Sequence, residues 1–197
     1  MSPSPKNSIV VVSGLPRSGT SLMMQILGTA GLPLLTDQLR IADPDNERGY
    51  YEYEPVKLMK SGDLAWMRAA RGKAVKIISH LLVHLPASYH YKVVFMLRNL
   101  PEVVASQNRM LENKGEKAEP SAANEDLVRI FSAHLQATRR WLADQPNIQT
   151  IFVDYNRLIH DPANTLETVE SFLGLSLDRP EILSIVDPKS YRQRAGS

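Results

Sequence analysis

Residues 14–21 read GLPRSGTS, and this stretch decides the fold. A β-branched run at residues 8–12 precedes it, and residues 22–30, which are apolar at helical spacing, follow it. Gly14 and Gly19 therefore lie at a turn that leads from a strand into a helix. In such a turn the backbone N–H groups of the loop and of the first helical turn converge on a point that favours an anion.

Four β-branched or apolar runs, including the one before the loop, predict the strands of the sheet, at residues 9–13, 74–79, 92–97 and 148–154. Helices are predicted at residues 19–30, 54–71 in one or two pieces, 101–111, 122–142 and 162–173, with Gly31 and Gly174 closing the first and the last. Strands of continuous apolar character separated by helices predict an α/β fold with a parallel sheet flanked by helices on both faces. Ligands of such sheets bind at the carboxyl ends of the strands, where the loop and the pairs 79–80 and 97–98 fall.

Length and composition set broad limits on the function. A chain of 197 residues with 43% hydrophobic content buries one sizeable core, and no linker divides it. We predict a single domain over residues 1–197, with residues 1–7 disordered. A net charge of +2 argues against a nucleic-acid partner. Because no apolar run is long enough to span a bilayer and no signal peptide precedes the loop, we expect a cytoplasmic protein without a membrane partner.

The loop departs from the Walker pattern of P-loop nucleoside triphosphatases at one position. That pattern is GxxxxGK followed by Ser or Thr, and its lysine binds the β- and γ-phosphates. Here Thr20 replaces the lysine, while Ser21 keeps the final hydroxyl. A metal-bound triphosphate would lose its main neutralising charge, whereas Arg17 and the N–H groups of residues 18–21 suit a less charged anion. The loop thus predicts a P-loop NTPase-like fold. It also predicts an anionic ligand that binds without a metal.

A second cluster of anion-binding residue types follows in LRNLPEVVASQNR, residues 97–109. Arg98 is predicted at the end of a strand and Ser106 about one turn into the following helix. An arginine binds a phosphate with two hydrogen bonds, and a serine hydroxyl adds another. Arg109 falls on the same helix face as Ser106. Taken alone, this cluster would favour a structural interpretation, in which Arg98 only caps a strand and Ser106 is only a small residue tolerated in the helix.

Together, the two clusters resemble the sulfotransferases that use 3′-phosphoadenosine 5′-phosphosulfate (PAPS). In that family a loop like PRSGTS binds the 5′-phosphosulfate, and an arginine and a serine spaced like Arg98 and Ser106 bind the 3′-phosphate. Residues 152–175 resemble the family's late strand-helix segment. Because Arg17 stands where the cytosolic branch has a lysine, the resemblance is closer to branches reading PRSGT, which include tyrosylprotein and many bacterial enzymes.

The resemblance implies transfer of a sulfuryl group from PAPS to a hydroxyl or amine of a small-molecule or peptide acceptor, without a metal. The implied cofactor-binding residues are Arg17, Ser18, Gly19, Thr20, Ser21, Arg98 and Ser106. Arg17 would also stabilise charge on the leaving phosphate. The cytosolic branch's C-terminal segment has no clear counterpart; Arg192 and Arg194 would take part of its role, or belong to a solvated terminus. Two alternatives stay open, a P-loop nucleotide or small-molecule kinase and a non-catalytic PAPS-binding protein.

The general base has two candidates, since the family uses histidine in some branches and glutamate in others. His80 follows the second predicted strand, and an ordinary pKa of ~6.5 suits proton transfer at neutral pH. Glu52 lies in GYYEYEPV, residues 49–56, where the flanking tyrosines would desolvate a carboxylate and raise its pKa. We place Glu52 ahead because branches with a PRSGT loop tend to use glutamate. Glu47 and Glu54 are further carboxylates nearby.

One histidine is set aside at this point. His134 falls on an apolar stripe of the helix predicted at residues 122–142, so we expect it to be packed or partly buried.

Overall fold

The computed structural model describes residues 8–37, 49–113, 115, 121–176 and 179–186. The strands are β1 (Ile9–Gly14), β2 (Ala74–Lys76), β3 (Tyr91–Leu97) and β4 (Ile148–Asp154). The α-helices are α1 (Thr20–Thr29), α2 (Leu100–Asn113), α3 (Ser121–Ala143), α4 (Tyr155–His160), α5 (Pro162–Leu173) and α6 (Arg179–Ile185). There are also 3₁₀ helices in the described residues: η1 (Glu54–Ser61) and η2 (Ala65–Ala70) precede β2 in the chain, and η3 (Ser79–His84) follows it.

The strands form one parallel sheet in the order β2-β1-β3-β4. β1 pairs with β2 and β3, with Val12 opposite both Lys76 and Val94. All six residues of β1 are buried, as a central strand covered on both faces requires. The parallel α/β sheet predicted from the sequence is therefore confirmed.

Alternate residues of β1 face two different halves of the core. Val10 and Val12 pack in one cluster with apolar residues of α1, α5 and α6. Ile9 and Val11 pack on the opposite face with residues of η1, η2, η3 and α3. Helices thus cover both faces, as predicted. That the whole of residues 1–197 forms a single domain stays a prediction.

Some element bounds differ from the expectations. β2 ends at Lys76, three residues before the predicted end, and residues 79–84 form η3. Residues 54–71 form two short 3₁₀ helices rather than α-helix. α4 and α6 were not predicted. Both have only six or seven residues, too few for a helical period to stand out in the sequence.

Within the described ranges, no helix combines the length and the apolar composition needed to cross a membrane.

Candidate functional site

The loop between β1 and α1 has two positions at which its backbone leaves no room for a side chain. Gly14 has φ 149° and Gly19 has φ 94°. A Cβ atom on Gly14 would lie 2.6 Å from the carbonyl oxygen of Met96, and one on Gly19 would lie 2.3 Å from Tyr155 Cδ2. Both glycines are therefore required by close contacts as well as by conformation. Ser18 is buried, and its Oγ and N–H both donate to the Leu15 carbonyl, so it stabilises the loop from inside.

Lys76 brings an ammonium group to the end of this loop. It is the last residue of β2, and its Nζ donates to Ser21 Oγ at 3.3 Å and to the Tyr50 carbonyl at 2.9 Å. The same Nζ lies 3.8 Å from Glu52 Oε1, and the lysine side chain is only 11% exposed. Sequence reasoning missed this residue, although a single charge in the apolar run AVKII was a usable signal.

Glu52 and Glu54 have different surroundings. Glu52 is held by its backbone, because its carbonyl accepts hydrogen bonds from Thr36 Oγ1 and from the Asp37 N–H. Its carboxylate faces Lys76, whereas the carboxylate of Glu54 pairs with exposed Lys57. An extended segment would have pointed Glu52 and Glu54 the same way, but η1 begins at Glu54. Of the two carboxylates, the structure brings Glu52 to the loop. Glu47 lies outside the described residues.

His80 lies in a different environment from Glu52. It is an exposed residue of η3, and the groups that act on it electrostatically are Lys60, His134 and His84, none of which belongs to the loop. Despite the exposure, partial desolvation is the largest influence, and together with those charges it lowers the pKa of His80 below 6.5. The imidazole is therefore neutral at physiological pH.

His134 is more than a packed residue. Its Nε2 lies 2.8 Å from Ser79 Oγ and 3.4 Å from Thr138 Oγ1. Because Ser79 is buried, this hydrogen bond joins α3 to the start of η3, next to His80. Sequence reasoning predicted a packed or partly buried His134 but did not find this contact.

The second cluster meets the loop directly. Arg17 Nε donates to Ser106 Oγ at 2.9 Å, and Arg98 Nη1 donates to the Arg17 carbonyl at 3.1 Å. The contact is possible because β1 and β3 are adjacent and both end at this edge of the sheet. The Arg98 side chain is 8% exposed and also pairs with the buried carboxylate of Glu102. Arg109 is exposed on α2. Arg192 and Arg194 lie outside the described residues.

A cavity of about 570 Å³ lies beside α1. Its lining includes Gln25, Gly28, Leu34 and Tyr51, but no residue of the loop. It is thus adjacent to the segment that carries Glu52 and separate from the two clusters. In the part of the chain that the structure describes, no group of three His, Cys, Asp or Glu side chains is arranged to hold a metal ion.

Comparison with known proteins identifies the family. Residues 7–194 match the model of the sulfotransferase domain. The chain belongs to the sulfotransferase domain family. A comparison with curated proteins finds no match. The resemblance inferred from the two clusters is therefore confirmed at the level of the family.

Solved sulfotransferase structures share the fold. The sulfotransferase domain of the Synechococcus PCC 7002 olefin synthase is 19% identical, with a TM-score of 0.56 over 100% of this chain and 92% of that one. Mouse sulfotransferase SULT7A1, solved with PAP, is 13% identical, with a TM-score of 0.62 over 98% and 68%. Sulfotransferase STF1 from Mycobacterium tuberculosis H37Rv is 16% identical, with a TM-score of 0.58 over 95% and 72%. These likenesses confirm the P-loop NTPase-like α/β fold.

Proposed function

We propose that this sulfotransferase-family chain transfers a sulfuryl group from PAPS to a hydroxyl or amine of a small-molecule or peptide acceptor. One observation carries the proposal: Arg17 of the loop hydrogen-bonds Ser106, while Arg98 hydrogen-bonds the Arg17 backbone. Two groups of anion-binding residues thus form one continuous site. A donor with phosphate at both its 5′ and 3′ ends matches such a site.

The residues present fit that donor. The glycine-bounded loop, with Arg17 and Lys76, suits the 5′-phosphosulfate, and Ser106 with Arg98 suits the 3′-phosphate. When bound, PAPS supplies the sulfuryl group, whose bond to the 5′-phosphate oxygen breaks as a bond to the acceptor atom forms. Arg17, Lys76 and the loop N–H groups would stabilise the negative charge that grows on the leaving oxygen.

Glu52 is the base that the geometry favours. Its carboxylate faces Lys76, which in turn contacts Ser21 at the end of the loop. A carboxylate beside the loop is placed to accept the proton that an acceptor hydroxyl or amine releases. His80 stays the second candidate, because its neutral ring can accept a proton but its charged neighbours lie away from the loop.

Lys76 also distinguishes this site from that of a P-loop kinase. In Walker loops the final Ser or Thr hydroxyl binds magnesium. Here the corresponding hydroxyl of Ser21 faces the ammonium of Lys76 at 3.3 Å. A fixed positive charge beside this hydroxyl disfavours a divalent cation and stabilises an anion directly. The proposal therefore includes turnover without a metal. From the sequence it also includes a cytoplasmic location and no nucleic-acid partner.

Calorimetry with three nucleotides tests the proposal. Adenosine 3′,5′-bisphosphate should bind at least a hundredfold more tightly than ATP with magnesium. Ser106→Ala should reduce the bisphosphate affinity by about 1.5–3 kcal/mol, the cost of losing one hydrogen bond to a charged group, while leaving adenosine 5′-monophosphate binding nearly unchanged. Arg140→Ala, an exposed change on α3, is the matched control.

Transfer is then measured with ³⁵S-labelled PAPS against a panel of phenols, alcohols, amines and tyrosine peptides, with and without EDTA. Labelled product that survives EDTA supports the proposal. Equal binding of ATP with magnesium, or metal-dependent ATP turnover, would favour a kinase. Tight bisphosphate binding without transfer to any acceptor would favour a non-catalytic PAPS-binding protein.

A further inference from the structure

Glu102 is a buried carboxylate that the proposed chemistry does not use, and it lies behind the joined clusters. It belongs to the first turn of α2 and is only 3% exposed. Arg98 Nε donates to its Oε2 at 3.1 Å. Asn156, from α4, places its Nδ2 3.2 Å from both carboxylate oxygens. Two side chains from separate elements therefore fix the direction of this carboxylate.

Arg17 needs outside support to keep its conformation. Its φ is 70°, in the left-handed region that a residue with a side chain rarely adopts unless its surroundings hold it there. The Arg98 hydrogen bond to the Arg17 carbonyl supplies that support from the residue that follows β3. In this conformation the Arg17 side chain reaches Ser106.

Arg98 in turn depends on its own partners. Its guanidinium lies 4.7 Å from the centre of the Tyr155 ring, and Gly19 packs so closely on the same ring that a Cβ would overlap it. At 8% exposure the Arg98 charge is balanced by Glu102. Removing one partner of a buried ion pair leaves an uncompensated charge, which is strongly unfavourable. Without Glu102, Arg98 is therefore expected to leave this position.

We propose that Glu102 is a positioning residue for the donor site. Acting through Arg98, it holds Arg17 in the left-handed conformation that keeps the Arg17 side chain on Ser106, and it does so from beneath the surface that the donor contacts. Asn156 shares this role, because it orients the carboxylate. The inference rests on the proposed function, since donor affinity is its readout.

Glu102→Gln is the central test because it keeps the size of the side chain. The variant leaves the buried Arg98 charge without a carboxylate partner, and with Asn156 oriented as in the structure the glutamine NH₂ group meets the Asn156 Nδ2. We expect calorimetry at 15 °C to give a Kd for adenosine 3′,5′-bisphosphate at least tenfold higher than that of the wild type. The KM for PAPS should rise by a similar factor, with a smaller change in kcat. Glu112→Gln, the same change at an exposed position of α2, should leave both values unaltered.

A double variant distinguishes positioning from simple loss of stability. In Glu102→Gln with Asn156→Asp, the new carboxylate accepts from the glutamine NH₂, and the glutamine oxygen accepts from Arg98. The affinity should return to within threefold of the wild type. If Glu102→Gln does not fold, Asn156→Ala keeps the ion pair and should still raise the Kd at least threefold.

The outcomes are separable. A Glu102→Gln protein that has a lower Tm but binds the bisphosphate as tightly as the wild type would overturn the inference and leave the proposed function intact. An unaltered Kd in Asn156→Ala, where Glu102→Gln cannot be made, would do the same. Failure of the wild type to bind the bisphosphate would overturn the proposed function, and the inference with it.

Discussion

At the scale of single residues, Lys76 brings a second positive charge, besides Arg17, to a loop in which Thr20 replaces the Walker lysine. The Walker lysine is local, six residues after the first glycine of its loop, whereas Lys76 comes from the neighbouring strand, 55 residues after Ser21. β2 pairs with β1 in parallel, so the backbone of Lys76 lies opposite Val12, just before the loop, and its side chain reaches Ser21 at the loop's end. The ammonium group beside Ser21 therefore comes from another element and not from position 20.

Lys76→Met keeps most of the aliphatic stem and removes the ammonium group. Loss of one preorganised donor to a developing anion typically costs about 10²–10³ in kcat, and we expect a fall of that order in sulfuryl transfer. Lys92→Met is the matched control on β3, where Nζ donates to the Phe172 carbonyl at the end of α5. It should lower stability by about 1 kcal/mol and leave kcat unchanged. A fall in kcat of less than threefold for Lys76→Met would contradict the role given to Lys76.

Glu52 and Glu54 offer a matched pair of carboxylates. If Glu52 is the base, Glu52→Gln should lower kcat by about 10²–10⁴, the usual contribution of general base catalysis. Glu54→Gln makes the same change two residues away, at a carboxylate that pairs with exposed Lys57, and should have little effect. Initial rates at saturating PAPS provide the measurement. A large loss in His80→Asn with full activity in Glu52→Gln would transfer the role to His80.

His80 gives a prediction about stability that is independent of catalysis. Its pKa in the folded chain is lowered below 6.5, so the unfolded chain binds the proton more readily. The associated stability is complete above pH 6.5 and is lost as the pH falls below 6.5 towards the folded pKa. His80→Asn removes this dependence, and urea unfolding at pH 7.5 and pH 5.0 should show a smaller loss for the variant than for the wild type. An equal loss in both proteins would contradict the lowered pKa.

At the scale of elements, the short helix α4 places two side chains behind the site. Tyr155 packs on Gly19 and Arg98, and Asn156 contacts Glu102. Six residues are too few to form a stable helix alone. The Asp154 carboxylate accepts from the Arg157 N–H at 2.9 Å, which caps the helix at its first turn.

Asp154→Ala should therefore destabilise the chain by about 1 kcal/mol, the usual cost of losing an N-cap. Tm should fall by about 2–4 °C for a chain of this size. Because α4 orients Asn156, the bisphosphate affinity should fall as well. Asp154→Asn retains a capping oxygen and should stay close to the wild type, and Asp126→Ala on the surface of α3 is the control. Equal stability of the alanine and asparagine variants would show that the cap is unimportant.

Local sequence patterns predicted the elements whose apolar residues recur regularly or that carry a fixed motif. The runs around GLPRSGTS gave β1 and α1, and residues 162–173 gave α5 with its terminal glycine. α4, α6 and η3 are short, and their apolar residues are explained only by packing against distant partners. Lys76 and Glu102 depend on strand order and helix contacts, which no local window contains. Sequence therefore predicted the types of residue at the site better than the contacts that hold them.

At the scale of the whole molecule, strand order joins residues that are far apart along the chain. Arg17 and Ser106 are separated by 89 positions, yet they meet because β1 and β3 are neighbours whose carboxyl ends lie at one edge. β1 also divides the core, with its alternate residues packed in the clusters on the two faces. A ligand bound across β1 and β3 is therefore linked to both halves of the core.

This linkage predicts that adenosine 3′,5′-bisphosphate stabilises the chain as one unit. At a free concentration of 100 times its Kd, the ligand should raise the free energy of unfolding by about 2.7 kcal/mol. Tm should rise by roughly 5–11 °C for a chain of this size. Far-UV circular dichroism and the fluorescence of Trp66 and Trp141 should report one shared midpoint, with and without ligand. Adenosine 5′-monophosphate, which cannot engage Ser106 through a 3′-phosphate, should give a smaller shift at the same concentration. Two separate transitions, of which the ligand moves only one, would contradict both the single domain predicted for residues 1–197 and the coupling through β1.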